Sequence, residues 1–174
     1  RRWENQVRIS TQLIDTESGK VLKEQTIIIN DKMIVSVEQG FLTPDSNDDR
    51  VIDLRSKTVL PGLIDMHVHI EEQFSPNTRL EGYILNEADV ALNAVGYARA
   101  TLMAGFTTVR DLGGSGVNIS VRNSINSGKI VGPRIFTAGQ FIASTGGHGD
   151  PTNGANRRLI GDPGPKEGVV NSID

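Results

Sequence analysis

The sequence predicts a mixed α/β protein in two parts, on the strength of three observations. Residues 5–60 are rich in β-branched runs and turn residues, which are typical of a sheet. From Leu63 onward, short apolar runs alternate with segments of helical periodicity. Residues 58–69 form an apolar run that ends in two histidines separated by one residue. The first two observations define the fold class, and the third indicates where its chemistry lies.

In the first part, two β-branched runs predict a hairpin. Residues 25–29 and residues 33–37 flank a short polar turn at residues 30–32. The polar, turn-rich residues 41–50 predict a loop, and two further short strands are expected at residues 51–54 and 58–60. We therefore expect residues 1–60 to form a small β-sandwich-like unit that is incomplete on its own.

The second part, residues 61–174, predicts three strands that alternate with two helices. Alternation with short connections implies parallel strand pairing and right-handed crossovers. Two longer connections, residues 70–85 and residues 139–166, are expected to be loops without regular structure, and the second is long enough to be functional. The strands are expected at residues 63–69, 107–110 and 134–138, and the helices at residues 87–104 and 117–127.

The first of these helices has clear predicted ends. Asn86 can cap its start, and Gly105 stands where a glycine commonly ends a helix. Helical spacing predicts one apolar face, formed by Ala88, Ala91, Leu92, Val95, Ala98 and Leu102.

The pair His67 and His69 is the strongest indication of chemistry in the chain. Side chains alternate along a strand, so both imidazoles point to the same side and can hold one metal ion between them. The alternative is a pair of partly exposed histidines bonded to backbone carbonyls. The position of the pair at the end of an apolar strand, behind the turn at Pro61 and Gly62, favours the metal.

Three segments resemble the amidohydrolase superfamily. The segment LPGLIDMHVHI at residues 60–70 resembles the sequence that opens the barrel of this superfamily. The segments AGFTTVRDLGG at residues 104–114 and GPRIFTAGQFIASTGGHGDPTNG at residues 132–154 resemble its prolidase-like and imidazolonepropionase-like branch. Members of that branch include metal-dependent dipeptidases. The resemblance extends from about residue 7 to residue 174.

The resemblance implies a (β/α)₈ TIM-like barrel preceded by a small β-sandwich-like unit. A barrel of this kind typically takes about 250 residues, and the chain has 174. We therefore expect residues 61–174 to be the first three β/α units of a truncated barrel. The chain is then the N-terminal portion of the enzyme, and strands from the far C-terminus are expected to complete the sandwich.

The resemblance also implies a ligand set for the metal. His67 and His69 are expected to bind Zn²⁺, as one or two ions, although other divalent metals are compatible with this ligand chemistry. The remaining family ligands are a carboxylated lysine, two histidines and an aspartate on later strands. No catalytic residue is therefore expected within the chain, and the catalytic residues are expected beyond Asp174. Lys166 is not that lysine, because glycine and proline surround it instead of a strand.

Two further residues are candidates for substrate binding. His148, in a glycine-rich stretch, can donate to a substrate carbonyl or carboxylate, or it can bond to local backbone. Arg110 can meet a substrate carboxylate with its bidentate fork, or it can pair with Asp111 or Asp65 as structural support, which is the favoured interpretation. Asp65 itself is expected to steady the histidine loop.

Three acidic residues near these candidates are expected to have lesser roles. Asp150 can orient His148 or start a turn, and the turn is favoured because proline follows. Glu71 and Glu72 are expected to be solvated. The glycine-rich residues 113–116 predict turns and not a phosphate loop, because no Gly-Lys-Ser/Thr follows.

The composition narrows the class of function. The net charge is −3, and no basic run indicates nucleic-acid binding. The absence of cysteine excludes disulfides, thiolate metal sites and cysteine nucleophiles. No apolar run approaches the roughly 20 residues of a membrane span, and no targeting segment is visible. We expect a soluble chain without nucleic-acid or membrane partners, in the cytoplasm, the periplasm or outside the cell.

The leading hypothesis is a zinc-dependent amidohydrolase, a prolidase-like dipeptidase that attacks a small peptide-like substrate with metal-activated water. The nearest alternative is a cyclic-amide hydrolase of imidazolonepropionase type. A second class is a non-catalytic truncated half that needs the remainder of the barrel. A module with structural zinc is disfavoured, because structural sites usually take four protein ligands. A homo-oligomer is compatible with each hypothesis.

Overall fold

The computed structural model describes residues 6–44, 47 and 49–172. The chain divides into two compact units between Pro61 and Gly62. The first unit contains a four-stranded sheet, and the second contains a three-stranded sheet with helices. The chain is therefore mixed α/β, as the sequence predicts.

The two predicted ranges extend beyond the part of the chain that the structure describes. Residues 1–5 of the range 1–60, and Asp174 at the end of the range 61–174, lie outside the described residues. The sandwich-like form expected for residues 1–60 stays a prediction, and so does the truncated barrel expected to extend to Asp174.

The first unit contains four strands: β1 Gln6–Asp15, β2 Lys20–Asn30, β3 Met33–Gln39 and β4 Arg50–Val59. They form one sheet of order β3-β2-β1-β4. Strand β2 pairs antiparallel with β1 and with β3, and β4 pairs parallel to β1. The β2–β3 pair confirms the predicted hairpin. The two short strands predicted after the loop are one strand, β4, whose register to β1 shifts between Leu54 and Thr58.

The second unit has a parallel sheet of order β5-β6-β7, as the alternation of strands and helices predicts. Strand β5 is Leu63–Val68, β6 is Phe106–Asp111 and β7 is Arg134–Thr137. His69 follows the end of β5 instead of lying within it. The long helices connect these strands: α2 is Glu87–Met103 and α3 is Val117–Asn126.

Short helical segments occupy the two connections that were predicted to lack regular structure. Helix α1, Thr78–Ile84, lies in the first connection, and α4, Arg157–Ile160, lies in the second with a 3₁₀ turn at Pro165–Glu167. Asn156 caps α4 by accepting a hydrogen bond from the Arg158 N–H at 3.0 Å. The prediction of structureless loops was wrong because helices of one or two turns carry no long apolar period by which the sequence would reveal them.

The core of the second unit lies between the sheet and helices α2 and α3. Helix α2 packs on β6 and α3, and α3 packs on β7. The buried apolar side chains that form one cluster are Ile70, Ala94, Ala98, Val109, Val121 and Ile135. This cluster joins both helices to the central strand, so it fixes the position of the strand ends that carry the candidate site.

The apolar face predicted for α2 was partly wrong. Leu92 is 73% exposed and Ala88 is also exposed, whereas Ala94 is fully buried. Ala98 is buried, as predicted. Alanines are distributed around most of this helix, so the sequence alone does not distinguish which side meets the sheet. The predicted ends are confirmed, because the Asp89 carboxylate accepts from the Asn86 N–H at 2.9 Å and Gly105 follows the helix at φ +99°.

No helix among the described residues is both long and apolar enough to cross a membrane.

Truncation of the central core residue tests this packing. Val109 is fully buried in β6, so Val109→Ala should lower the free energy of unfolding by about 2 kcal/mol through lost burial and a residual cavity. The matched control is Leu92→Ala, which removes a largely exposed side chain and should change that free energy by less than about 0.5 kcal/mol. Equal losses in the two variants, measured by denaturant titration, would contradict the assigned core.

Candidate functional site

Strand β5 brings the two predicted metal ligands together at its carboxyl end. The ring centroids of His67 and His69 lie 5.5 Å apart, with the ring planes inclined at 75°. The intervening Val68 belongs to the strand and packs against the core cluster. This arrangement follows from the two-residue repeat of side chains along a strand. Two imidazoles are therefore presented to one space.

A hydrogen bond determines the tautomer of His69. Its Nδ1 lies 2.8 Å from the carbonyl oxygen of Gly113. A carbonyl oxygen only accepts, so Nδ1 must carry the proton and the lone pair of the neutral ring lies on Nε2. Ligating histidines in metal sites commonly donate their other ring N–H to a carbonyl or carboxylate in this way. His69 therefore has the protonation pattern that a metal ligand requires.

Asp65 supports the backbone of the histidine segment. Its Oδ1 accepts from the backbone N–H of His67 at 2.9 Å. This carboxylate steadies the backbone that leads into His67, which is the supporting role that the sequence predicts for it.

The chemistry of the pair fits a divalent cation of intermediate softness such as Zn²⁺, for which neutral imidazole is a preferred ligand. Among the described residues, no group of three or more histidine, aspartate or glutamate side chains is placed to hold a metal ion. His67 and His69 can thus supply two ligands of a larger set. The assignment of both residues as ligands stays a prediction.

The catalytic residues were expected beyond Asp174, and that expectation also stays a prediction. Asp174 lies outside the described residues, so the structure does not place any group that follows the second unit.

All three histidines of the chain line one open pocket of about 1120 Å³. His148 lies in the connection after β7, and the pair lies at the end of β5, so two strand ends contribute to the same space. The wall also contains exposed apolar side chains: Phe74 is 94% exposed and Ile142 is 81% exposed. The pocket thus combines imidazoles with an apolar surface.

The connection that carries His148 is closed at its base by backbone hydrogen bonds. The Ala143 N–H donates to the Gly168 carbonyl at 2.9 Å, and the Val170 N–H donates to the Ala143 carbonyl at 2.8 Å. Asn171 Oδ1 also accepts from the Thr145 N–H at 2.9 Å. These bonds hold the two ends of the connection together, so His148 is carried on an ordered loop.

Asp150 organises the tip of this loop. It is 4% exposed, and its carboxylate accepts from the Gly146 N–H at 2.7 Å and from the Thr152 N–H and hydroxyl at 2.8 and 2.7 Å. The Gly146 N–H contributes most to holding the pKa of Asp150 below its usual range, followed by the Thr152 hydroxyl. The prediction that Asp150 forms a turn is confirmed.

Arg110 lies apart from the three histidines. Its Nε donates to the Met66 carbonyl at 2.7 Å, and the side chain lines a separate groove with Arg122 and Arg134. The described partner is therefore a backbone carbonyl and not the Asp111 or Asp65 carboxylate considered from the sequence. The structure does not bring Arg110 into the histidine pocket, and its role in substrate binding stays a prediction.

The expectation that Glu71 is solvated was wrong. Its carboxylate is buried and accepts from the backbone N–H groups of Ser115 and Asn118 at 2.7 and 2.6 Å. Helix α3 follows Gly116, which has no side chain to cap the first turn, so a carboxylate from another loop satisfies the free N–H groups. A helix start without a capping residue is the signal that could have indicated such a partner. Glu72, in contrast, is exposed.

The lowered pKa of Asp150 predicts a pH dependence for this loop. The ionised carboxylate holds three donors, so its contribution to stability is fully present above about pH 4 and is lost as the pH falls through the lowered pKa. Amide hydrogen exchange at Gly146 and Thr152, corrected for intrinsic rates, should therefore lose protection at low pH. In Asp150→Asn, protection of these two amides should be low both above and below the pH at which the wild-type carboxylate is protonated. Protection in the wild type that does not change with pH would refute this assignment.

Comparison with known proteins identifies the family to which the chain belongs. The model of the Amidohydrolase family matches residues 58–172. A crystal structure of an Xaa-Pro dipeptidase with bound methionine in its active site superposes with a TM-score of 0.85 at 43% identity, over 95% of this chain and 41% of that one. A prolidase complexed with N-methylphosphonate-L-proline gives a TM-score of 0.72 at 32% identity, over 83% of this chain and 34% of that one.

A curated relative has a different substrate. Ochratoxinase from Aspergillus niger is 28% identical over 141 residues, which are 76% of this chain and 28% of the relative. The chain thus spans less than half the length of the relatives and solved structures described here. The family match covers well over half of the chain and includes β5 and both histidines, His67 and His69. The chain belongs to the amidohydrolase family.

Proposed function

We propose that the protein is a metal-dependent dipeptidase of the prolidase-like branch, which hydrolyses the amide bond of a small Xaa-Pro-like substrate. The observation that carries this proposal is the pair of imidazoles at the end of β5, with His69 held in the tautomer that leaves Nε2 free. The likeness to an Xaa-Pro dipeptidase and to a prolidase supports the substrate class.

In this proposal, Nε2 of His69 and one ring nitrogen of His67 would hold a zinc ion. When bound, such a cation would supply Lewis-acid chemistry, polarising the scissile carbonyl and lowering the pKa of a water molecule towards neutrality. The Gly113 carbonyl keeps the proton on Nδ1 of His69, and Asp65 keeps the His67 backbone in place. The first contact orients the His69 ring and the second fixes the backbone of His67, so neither has to be positioned again during turnover.

The remaining wall of the pocket binds the substrate. His148 lies on the ordered loop and faces the same pocket as the pair, so its ring can donate to a substrate carbonyl or carboxylate. Phe74, Phe141 and Ile142 provide an apolar surface that suits a pyrrolidine ring or an aliphatic side chain and displaces water from it.

The fold proposed for the complete enzyme is a (β/α)₈ barrel of which β5, β6 and β7 are the first three strands. Active sites of such barrels lie at the carboxyl ends of the strands, where His67, His69 and His148 are found. Later strands, beyond Asp174, would contribute the other ligands and the group that transfers the water proton to the leaving amine. The coverage of 34–41% of the related crystal structures supports this division.

A second candidate function follows from the incomplete ligand set. Because the described residues provide no cluster of three ligands, residues 6–172 on their own would not turn over substrate. In that case, this segment is a non-catalytic half that needs the rest of the barrel both to fold stably and to act. Zinc binding and hydrolysis by the full-length chain distinguish this candidate from the dipeptidase.

Substitution of each histidine tests the proposed function. In the full-length protein, His67→Asn and His69→Asn should each lower the bound zinc and reduce the hydrolysis of Xaa-Pro dipeptides to background, because each removes a ligand. The matched control is His148→Asn, which changes the third histidine of the pocket. It should retain zinc while raising KM, because it removes only a substrate contact. Zinc is measured by elemental analysis and hydrolysis by release of proline.

Two results would refute the proposal. One is a wild-type protein that carries no metal in zinc-replete medium and hydrolyses none of the dipeptides. The other is retention of full zinc content by both His67→Asn and His69→Asn. Parallel assays with non-prolyl dipeptides and a cyclic amide determine which amide the active enzyme prefers.

A further inference from the structure

The carboxylate of Asp111 lies behind the candidate metal ligand and is almost completely buried, with 1% of the residue exposed. It ends strand β6, next to β5, and it does not line the histidine pocket. Three donors surround it. Oδ2 accepts from the Ile70 N–H at 2.8 Å, and Oδ1 accepts from the Gly113 N–H at 2.8 Å and from Asn118 Nδ2 at 3.0 Å.

Two of these donors are directly connected to His69. Ile70 is the next residue in the chain, so Asp111 holds the peptide that leaves the histidine. Gly113 is the residue whose carbonyl accepts the Nδ1 proton of the ring. A single carboxylate therefore fixes both the backbone of His69 and the acceptor that orients its ring.

The position of Gly113 is tightly constrained, so its contact with Asp111 also fixes the carbonyl that accepts from His69. Its backbone has φ +128°, a conformation that favours glycine, and a Cβ there would overlap the backbone nitrogen of Phe141. The peptide cannot easily move towards the loop after β7. It is held between Asp111 on one side and that loop on the other, so its carbonyl has a defined direction.

Asn118 anchors the carboxylate in turn. It is fully buried, and its Nδ2 donates both to Asp111 and to the Gly139 carbonyl at 2.8 Å. Its backbone N–H donates to Glu71. The carboxylate of Asp111 is thereby fixed to helix α3 and to the end of the β7 segment, and it does not depend on the pocket or its occupant.

We propose that Asp111 is the positioning residue of the metal centre, which sets the tautomer and the ring orientation of His69 through Gly113 and Ile70. This inference rests on the proposed function, because it assigns a role to Asp111 towards a metal ligand. Asp111 acts through His69 and touches neither substrate nor metal. The direct partner of a ligating histidine, here the Gly113 carbonyl, typically alters metal affinity by about 10- to 100-fold. Asp111 lies one contact further out, so we expect its effect near the lower end of that range.

The isosteric variant Asp111→Asn tests the inference in the full-length protein. An asparagine has one acceptor oxygen, so its amide group must face an N–H donor from either Ile70 or Gly113. Two-bond ¹H–¹⁵N spectra of the metal-free protein read the tautomer of His69, and competition with a chromophoric chelator gives the zinc dissociation constant. The wild type should show the Nδ1–H tautomer. The variant should populate Nε2–H and bind zinc about 10-fold more weakly, the lower end of the range for a direct partner of a ligating histidine.

A matched control separates positioning from general loosening. Asp150→Asn makes the same acid-to-amide change at another buried carboxylate of this unit, one whose donors are Gly146 and Thr152. It should leave the His69 tautomer unchanged. If Asp111→Asn fails to fold, Asn118→Ser provides the second variant, because it removes one donor to Asp111 and should shift the tautomer in the same direction by less.

The outcomes distinguish this inference from the proposed function. An Nε2–H tautomer in the wild type, or an unchanged tautomer and zinc affinity in the folded Asp111→Asn protein, overturns the positioning role. A wild type that binds no zinc overturns the proposed function. A tautomer shift in metal-free Asp111→Asn would even then support the conclusion that Asp111 positions His69.

Discussion

The hydrogen bond from Nδ1 of His69 to the Gly113 carbonyl is the interaction on which the candidate site depends. It joins the end of β5 to the turn after β6, so two parallel strands cooperate to fix one imidazole. Burial of Val109, Ala98 and Ile135 in the core keeps these strand ends in register. The packing of the sheet therefore fixes the direction in which the lone pair on Nε2 of His69 points.

Much of the fold follows from patterns that are local in the sequence. The hairpin of β2 and β3 and the strands β5, β6 and β7 follow from β-branched runs and turn residues. The start of α2 follows from Asn86 and its end from Gly105. The orientation of His67 and His69 towards one space follows from the strand repeat, continued one residue beyond the end of β5. These features depend on neighbours a few residues away, which the sequence displays directly.

The features that sequence analysis missed depend on contacts between distant residues. Glu71 caps a helix that begins 46 positions later, and no local pattern marks it as buried. Asp111 and Asn118 form their network only after the strands have paired. The buried side of α2 was ambiguous because small residues surround that helix, and only the sheet selects Ala94 over Leu92. Contacts between residues far apart in the chain produce no periodic pattern in the sequence, so sequence analysis cannot detect them.

The proposal that His67 and His69 together bind one zinc ion is best tested by anomalous diffraction at the zinc edge, from crystals of the full-length protein. We expect a peak about 2.0–2.1 Å from Nε2 of His69 and from a ring nitrogen of His67, with the Nδ1 contact to Gly113 retained. A peak at other residues only, or rings turned apart under zinc-replete conditions, would refute the proposal.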